Sequence, residues 1–467
     1  MNTKKNRLLC RIISPFIILS FLCTGCAGVN ININYPQKDN LAEQKSYAGF
    51  FDNAELNSMI DENFKEVEQN GWAELRIPKD IHGIGEEAFS DNALDAAHKL
   101  IDAGYEAYFI GGAIRDLVMG TETMDFDITT NASNVEIKKV FKNAKFHAIP
   151  SGLEFAFVEY PGEVIDVASC VNIPAEYHGI KGVPDFDPGQ MYSGDFVKDS
   201  FQRDLTINAL YYDVKTGDLV DYHGGLHDIR EHILQTMVDA EPAFDADPRI
   251  SIRAMRFKAR YGFDFSDRLD EVLRAGVAQY VTKPGPESNS FNIPKFFDAG
   301  YALDSYEVLE EYGAFPVLFA PVANMSGTDE YKAYMESAMK QMDEWESNGD
   351  EVGKDLYMAV ILWPEFEGID ESKIKEASEE VLSQQSKTIM INNEDKDDFT
   401  DLFVLEYMLE ENMSYEDSAE LVTQNEFEDA YDLLVIRSLT NGELTDEVDF
   451  WTKLRDELLY DEEDIAA

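Results

Sequence analysis

From residue 76 onward the chain alternates between two hydrophobic periods, and the change from one to the other outlines its architecture. Between Ser90 and Gly104, apolar Leu94, Ala97, Leu100 and Ile101 recur at helical spacing. Ser90 is a good N-cap and Gly104 suits a left-handed C-cap, so a helix is predicted there. Tyr105 to Ile110 is aromatic and β-branched and runs into Gly111-Gly112, which predicts a strand feeding a tight turn, with a helix following over about 113–119. Met124 to Thr130 alternates, with Met124, Phe126 and Ile128 on one side and Asp125, Asp127 and Thr129 on the other. Both carboxylates of that predicted strand therefore point the same way. Phe155 to Tyr160 and Glu163 to Ala168 alternate about Pro161-Gly162 and predict a hairpin in which Asp166 opposes apolar Ile165 and Val167. Helical patterns dominate from about Val220, including Arg249 to Tyr261, Tyr306 to Tyr312, Lys354 to Trp363 and Phe427 to Ser438. The predicted class is α+β: a small head with a mixed or antiparallel sheet, followed by an all-α neck, body and tail.

The N-terminal region changes the picture. Lys4, Lys5, Arg7 and Arg11 precede a mostly apolar run from Ile12 to Cys23, and Cys23-Thr24-Gly25-Cys26 follows. A basic start and about a dozen apolar residues describe a secretory signal, too short for a bilayer-spanning helix of about 20 residues. The small residues ending in Cys26 resemble the lipobox of bacterial lipoproteins, although Cys23 departs from its usual aliphatic residue. That likeness implies a lipid on Cys26 and a mature chain anchored to the outer face of the cell membrane. With Cys10 and Cys23 removed and Cys26 lipidated, Cys170 would stand alone, excluding a disulfide framework or a thiolate zinc site. Residues 27–72 are polar, Asn-rich and acidic with one weak helical pattern around Met59 to Val67, and are expected to form a tether.

The 467 residues are 44% hydrophobic and 12% aromatic, enough for packed cores. Their net charge of −52 opposes avid, nonspecific binding of nucleic acid unless cations are concentrated locally. His98, His147, His178, His223, His227 and His232 are too scattered to suggest a metal site.

Two carboxylates one pleat apart repel each other unless a cation lies between them. Asp125 and Asp127 are such a pair, and Mg²⁺ suits it because it accepts one or two carboxylates and completes its shell with water and phosphate. Asp166 on a neighbouring strand would allow a second metal and in-line phosphoryl transfer. Gly111-Gly112 before a helix N-terminus is a candidate anion site, which Arg115 could complete as a fork.

Gly111-Gly112-Ala113-Ile114-Arg115-Asp116-Leu117-Val118-Met119-Gly120, followed by Asp125-Phe126-Asp127-Ile128-Thr129-Thr130, resembles the head motif of class II nucleotidyltransferases, bacterial poly(A) polymerases above all. The likeness returns at Arg203-Asp204-Leu205-Thr206-Ile207-Asn208, Gly224-Gly225-Leu226-His227-Asp228, Asp247-Pro248 and Arg253-Ala254-Met255-Arg256-Phe257. It extends, more faintly, over nearly everything from Arg76 on. With the signal peptide expected at 1–25 and the tether at 26–75, the resemblance implies a nucleotidyltransferase head at 76–218, a helical neck at 219–320 and an acidic helical body and tail at 321–467. It implies that Asp125, Asp127 and Asp166 hold two Mg²⁺ ions. Gly111, Gly112, Arg115, Asp116, Arg203, Asp204, Asn208, Asp247, Arg253 and Arg256 would serve the nucleotide and its phosphates. The implied reaction is attack of an RNA 3′-hydroxyl, of tRNA or another RNA, on the α-phosphate of ATP or CTP.

Departures are concentrated where the base is read. The family's neck motif Glu-Asp-x-x-Arg here reads Ala246-Asp247-Pro248-Arg249-Ile250. Gln202 replaces the first of two arginines before Asp204, Val171 stands where a basic residue is expected, and the basic tail gives way to Asp461-Glu462-Glu463-Asp464. Arg249, Arg253 and Arg256 fall near one helix face and form either a phosphate patch or an anchor between neck and head. An inactive binding module tethered at the cell surface is the competing expectation.

Overall fold

The computed structural model describes residues 47–459 except 122, 124, 149–152, 351, 354 and 411–414. The signal, Cys26 and the terminal acidic run lie outside the described residues. The described residues divide into two compact units, one up to Ala275 and one from Gly276.

The first unit is built on an eight-stranded sheet: β1 (Leu75–Ile77), β2 (Ala107–Ile110), β3 (Asp127–Thr130), β4 (Lys145–Ala148), β5 (Glu154–Tyr160), β6 (Glu163–Ser169), β7 (Leu210–Asp213) and β8 (Leu219–Asp221). Their spatial order is β1-β8-β7-β2-β3-β6-β5-β4, and every neighbouring pair is antiparallel except β3 with β6. The helices of this unit include α1 (Ala54–Asn70), α2 (Asp91–Asp102), α3 (Gly112–Val118) and α4 (Arg249–Tyr261). The Ser90 hydroxyl accepts the Ala93 amide at the start of α2, and Gly104 takes φ +93 just past its end.

One face of the sheet stacks Phe89 on Phe109 at 4.5 Å and on Tyr212 at 4.6 Å. The other buries Tyr108, Ile110, Tyr211, Val220 and Tyr222 together with Cys170 and Phe196. Ring and aliphatic burial of this extent supplies the main driving force for holding the strands in register.

Two expectations change. The strand expected from Met124 begins only at Asp127, so Asp125 lies in the segment leading into it. The expected tether contains α1, a 17-residue helix capped by Asn53, with Leu56, Ile60 and Asn63 buried. Its few apolar positions gave a weak pattern, and polar and ring contacts add to the burial of Leu56 and Ile60. Asn63 Nδ2 donates to the Ala73 carbonyl (2.9 Å), Arg230 pairs with Asp61 (2.6 Å), and Phe64 stacks on His227 at 3.5 Å. The end of α1 touches Gly182, where the two backbones meet with no room for a side chain.

The second unit is helical and includes Ala302–Glu311, Asp329–Asn348, Leu356–Leu362, Asn393–Leu409 and Phe427–Asn441. Its core holds a charged group: Arg437 reaches Glu406 (2.6 Å) and Glu410 (2.5 Å), with its guanidinium carbon 4.3 Å from the centre of the Trp363 ring. Among the described residues no helix is long and apolar enough to cross a membrane.

Candidate active site

A single register row crosses all eight strands: Arg76, Val220, Tyr211, Ile110, Asp127, Asp166, Phe157 and Lys145 are successive partners. Partners in a row present their side chains to one face. Asp127 and Asp166 are thus direct neighbours on the sheet's single parallel pair, both under a tenth exposed. Asp127 Oδ1 and Asp166 Oδ2 are buried with no hydrogen-bond partner. Buried carboxylate oxygens without donors are costly, and a divalent cation is the partner their chemistry fits.

Asp125 joins them electrostatically. Burial, then Asp116 and Glu163, pushes its carboxyl up to about 7. Burial also holds Asp127 well above the carboxylate range, with Asp125 and Asp166 adding to the rise and Arg203 opposing it. Asp166 is raised by burial and then by Asp125. Among the described residues no three acidic, His or Cys side chains gather closely enough to grip an ion by themselves. Asp127 and Asp166 are thus direct neighbours, with Asp125 near enough to act on both electrostatically, and the three form no closed cage.

Ile110 ends β2 opposite Asp127, so the Gly111-Gly112 turn leaves the sheet beside the carboxylates. Gly111 takes φ +74 and ψ −134, a conformation other residues rarely adopt. Its amide donates to the Leu210 carbonyl (3.1 Å), and the first amide bonded within α3 is that of Arg115, to Gly111 (3.1 Å). The amides of Gly112, Ala113 and Ile114 precede that bond, as first-turn donors without a partner inside the helix. Gly111 thus shapes the turn while its own amide is engaged within the sheet.

Arg115 is also placed differently from the expected phosphate fork. It is 4% exposed, with Nε donating to Asp116 Oδ1 (2.8 Å) and Nη1 to Asn208 Oδ1 (2.5 Å). The Phe257 and Tyr261 rings lie 5.3 and 5.1 Å from its guanidinium carbon. Asn208 Nδ2 donates to Asp204 Oδ1 (2.9 Å), and Asp204 Oδ2 pairs with Arg253 Nε (3.1 Å). Arg253 Nη2 donates to Asp247 Oδ2 (3.2 Å). Arg249 grips Asp247 with two bonds of 2.8 and 2.9 Å. One polar line therefore runs from α3 to the start of α4. Burial opposes ionisation of Asp247, but Arg253 and Arg249 outweigh it and hold its carboxyl below the usual range. Arg253 thus bridges Asp204 and Asp247, and Arg249 is drawn to Asp247 as well. Arg256 lies with its guanidinium carbon 5.0 Å from the Phe257 ring centre.

Arg203 sits apart from that line. It is 2% exposed and donates to Asp199 Oδ2 (2.9 Å), which also accepts the Tyr211 hydroxyl (3.0 Å). Asp199 was not legible as a site residue; its one sequence signal is its position four residues before Arg203. In the Gly224–Asp228 segment the acids are architectural: Asp228 accepts from Thr206 (2.5 Å), and nearby Asp221 accepts the amides of His223, Gly224 and Leu226.

Residues 107–235 match the family model of the poly(A) polymerase head domain, the region that contains Asp125, Asp127, Asp166, the Gly111-Gly112 turn and Arg203. The chain is a homologue of bacterial poly(A) polymerases and CCA-adding enzymes. It is 29% identical to poly(A) polymerase I of Escherichia coli over 295 residues, 62% of this chain and 63% of that one. The chain thus spans less than two thirds of these relatives' length. The CCA-adding enzyme of Bacillus licheniformis is 35% identical over 183 residues, 39% of this chain and 44% of that one. The fold is shared with the Thermotoga maritima CCA-adding enzyme complexed with tRNA (TM-score 0.53, 19% identity, 79% of this chain and 82% of that one). It is shared too with a CCA-adding enzyme complexed with CTP (TM-score 0.54, 20% identity, 80% and 84%).

Residues 370–466 match the family's arginine-rich C-terminus. In this homologue the segment holds two arginines and five lysines against 30 acidic residues. The tail that reads as missing on charge is thus matched as a segment, with its charge inverted.

Proposed function

We propose that the protein is a divalent-cation-dependent RNA nucleotidyltransferase that joins the α-phosphate of ATP, and of CTP as a second substrate, to an RNA 3′-hydroxyl with release of pyrophosphate. The observation that carries this reading is the adjacent buried pair Asp127 and Asp166, with their unpartnered oxygens, beside the Gly111-Gly112 turn in a poly(A) polymerase-type head.

Asp127 and Asp166 would hold Mg²⁺, with Asp125 at the edge of the cluster and substrate phosphates and water filling the remaining positions. When bound, the ions would neutralise charge on the reacting phosphate and ease loss of the hydroxyl proton. The amides of Gly112, Ala113 and Ile114 face the triphosphate from the helix start. Arg115, fixed by Asn208 and the two rings, orients that turn and adds positive potential without leaving its partners. The neck is where this chain differs. Asp247 is tied by Arg249 and Arg253, and Ile250 is 3% exposed at the position where the family motif has arginine. Losing a bidentate donor to a base edge costs about 1–3 kcal/mol of discrimination, so base choice is relaxed.

The competing reading is a binding module on the same fold. It is favoured by the internal partners of Arg115, Arg249 and Arg253 and by the net charge of −52. The export signal and a lipid on Cys26, placing the protein on the outer face of the membrane, are part of either proposal; mass spectrometry of the N-terminal peptide from the native host tests them. The deciding experiment is incorporation of each labelled nucleotide into short RNA primers by the full chain, with Mg²⁺ or Mn²⁺. Cation-dependent extension is expected; no extension and no nucleotide binding by calorimetry would establish the module instead.

A further inference from the structure

We infer that the edge of the sheet at β4, carrying Lys138, Lys142 and Lys145, is the surface along which the single-stranded 3′ end of an RNA acceptor reaches the carboxylates. The inference rests on the RNA acceptor of the proposed function and names where that strand lies on the head.

Charge singles this edge out. The chain has 91 acidic residues in 467, yet none between Glu136 and Glu154, a stretch that holds Lys138, Lys139, Lys142 and Lys145. All four lysines are exposed. The other cation-rich run, Arg249 to Arg260 on α4, is turned inward, with Arg249, Arg253 and Arg260 each under a tenth exposed. In a protein of net charge −52 the wider field repels RNA, so contacts to backbone phosphates have to be local. Register then ties the edge to the site. Lys145 on β4 pairs with Phe157 on β5, Phe157 with Asp166 on β6, and Asp166 with Asp127 on β3. Lys145 therefore presents to the carboxylate face, two strand spacings or about 10 Å from Asp166. Phe146, the next residue of β4, faces the other way, and the Lys138 ammonium lies 5.5 Å from the centre of its ring. Lys142 sits in the turn that leads into β4. The lysines thus wrap around the edge, a shape that suits one flexible strand and not a flat lipid surface. Lys145 pairs with Glu159 at 2.5 Å, but both side chains are more than half exposed, and such an ion pair is weak enough to exchange for a phosphate. Lysine on an edge strand also guards against pairing with another chain, yet Lys138 and Lys142 lie off the strand.

Binding of a fluorescently labelled single-stranded RNA to the full chain, followed by anisotropy in chelator and without nucleotide, tests this. Lys138→Gln/Lys142→Gln/Lys145→Gln should bind at least ~10-fold more weakly than wild type at low salt, with a log–log salt dependence shallower by about 2, at about 0.7 per phosphate contact of a single strand. Replacing the same three lysines by arginine should keep the wild-type affinity. Lys373→Gln/Lys375→Gln/Lys387→Gln removes the same charge from exposed positions of the second unit and should change little. An equal loss in both glutamine variants would mean that only net charge acts, and would overturn the inference. RNA binding unchanged in the edge variant would overturn it as well, whether that variant aggregates, as a lost edge guard predicts, or releases phosphatidylglycerol vesicles, as a lipid-facing patch predicts. A wild type that binds no RNA would also sink it. Incorporation assays keep the two proposals distinct: RNA binding that depends on the three lysines, without incorporation of any nucleotide, supports the edge and counts against the reaction. In an active enzyme the edge variant should raise the KM for RNA and not that for ATP.

Discussion

Replacing Asp166 by asparagine probes the candidate site through the protein's own stability. Asp166 and Asp127 are register partners on adjacent strands, which run about 4.8 Å apart. Two full charges at that spacing repel by about 3.5 kcal/mol at an effective dielectric constant of about 20. Partial protonation relieves some of this, so the amide should stabilise the metal-free protein by about 1–3 kcal/mol at pH 8. The sign follows from the raised carboxyls of Asp127 and Asp166. A carboxyl whose folded pKa is raised holds its proton better in the native state, so its contribution is complete below the unfolded value near 3.8 and is lost as pH rises through the folded value. Wild type suffers that loss at pH 8 and Asp166→Asn does not, while near pH 4 the two should converge. Thermal unfolding in chelator reads the difference as a rise of several degrees at pH 8, at roughly 2–4 °C per kcal/mol for a unit of this size. Added Mn²⁺ should raise the wild-type midpoint and leave that of Asp166→Asn nearly unmoved. Nucleotide incorporation by the variant should fall at least ~100-fold, since a donated hydrogen cannot replace a ligand oxygen. An Asp166→Asn protein no more stable than wild type at pH 8, or equally stabilised by Mn²⁺, would refute the repulsive pair and the cation assignment together.

Three further outcomes are expected. Arg437→Met leaves Glu406 buried beside Trp363 without its counter-charge and should cost the second unit about 3–5 kcal/mol, most of it recovered in Arg437→Met/Glu406→Gln; urea unfolding followed by tryptophan fluorescence measures both. Gly182→Ala should cost about 2–4 kcal/mol, because its new methyl would lie 2.7 Å from the Asn70 carbonyl oxygen at φ +89, whereas Gly179→Ala, at φ +80 with open space, should cost about 1–2 kcal/mol; equal losses by urea unfolding would mean that the α1 contact carries nothing. Burial lowers His223 to about 3, so its neutral form stabilises the fold above pH 6.5 and that stability is lost as pH falls towards 3; His223→Gln should flatten the acid side of the pH–stability curve by up to about 4 kcal/mol, and an unchanged slope would contradict a neutral buried imidazole.

Much of this protein could be read along the chain. The Ser90 cap, the Pro161-Gly162 hairpin and the helical periods record local preferences, and each has its element in the structure. The carboxylate spacing and the glycine turn were equally visible, because strand alternation and backbone freedom act over a few residues. Pairing of Asp127 with Asp166 depends instead on β3 and β6 aligning in parallel across 39 residues of sequence, a choice made by burial of both sheet faces. The same is true of Arg115, whose reach suggested a phosphate ligand until the Phe257 and Tyr261 rings and Asn208 enclosed it. Helix α1 was underestimated because only Leu56 and Ile60 mark its apolar face, and the rest of its attachment is long-range, with Asn63, Asp61 and Phe64 finding partners that no periodicity announces. Residue types and short spacings thus specify which groups are present and the local elements that carry them. Which charges meet, and which are already engaged with one another, is decided only when the packed core removes water from between distant parts of the chain.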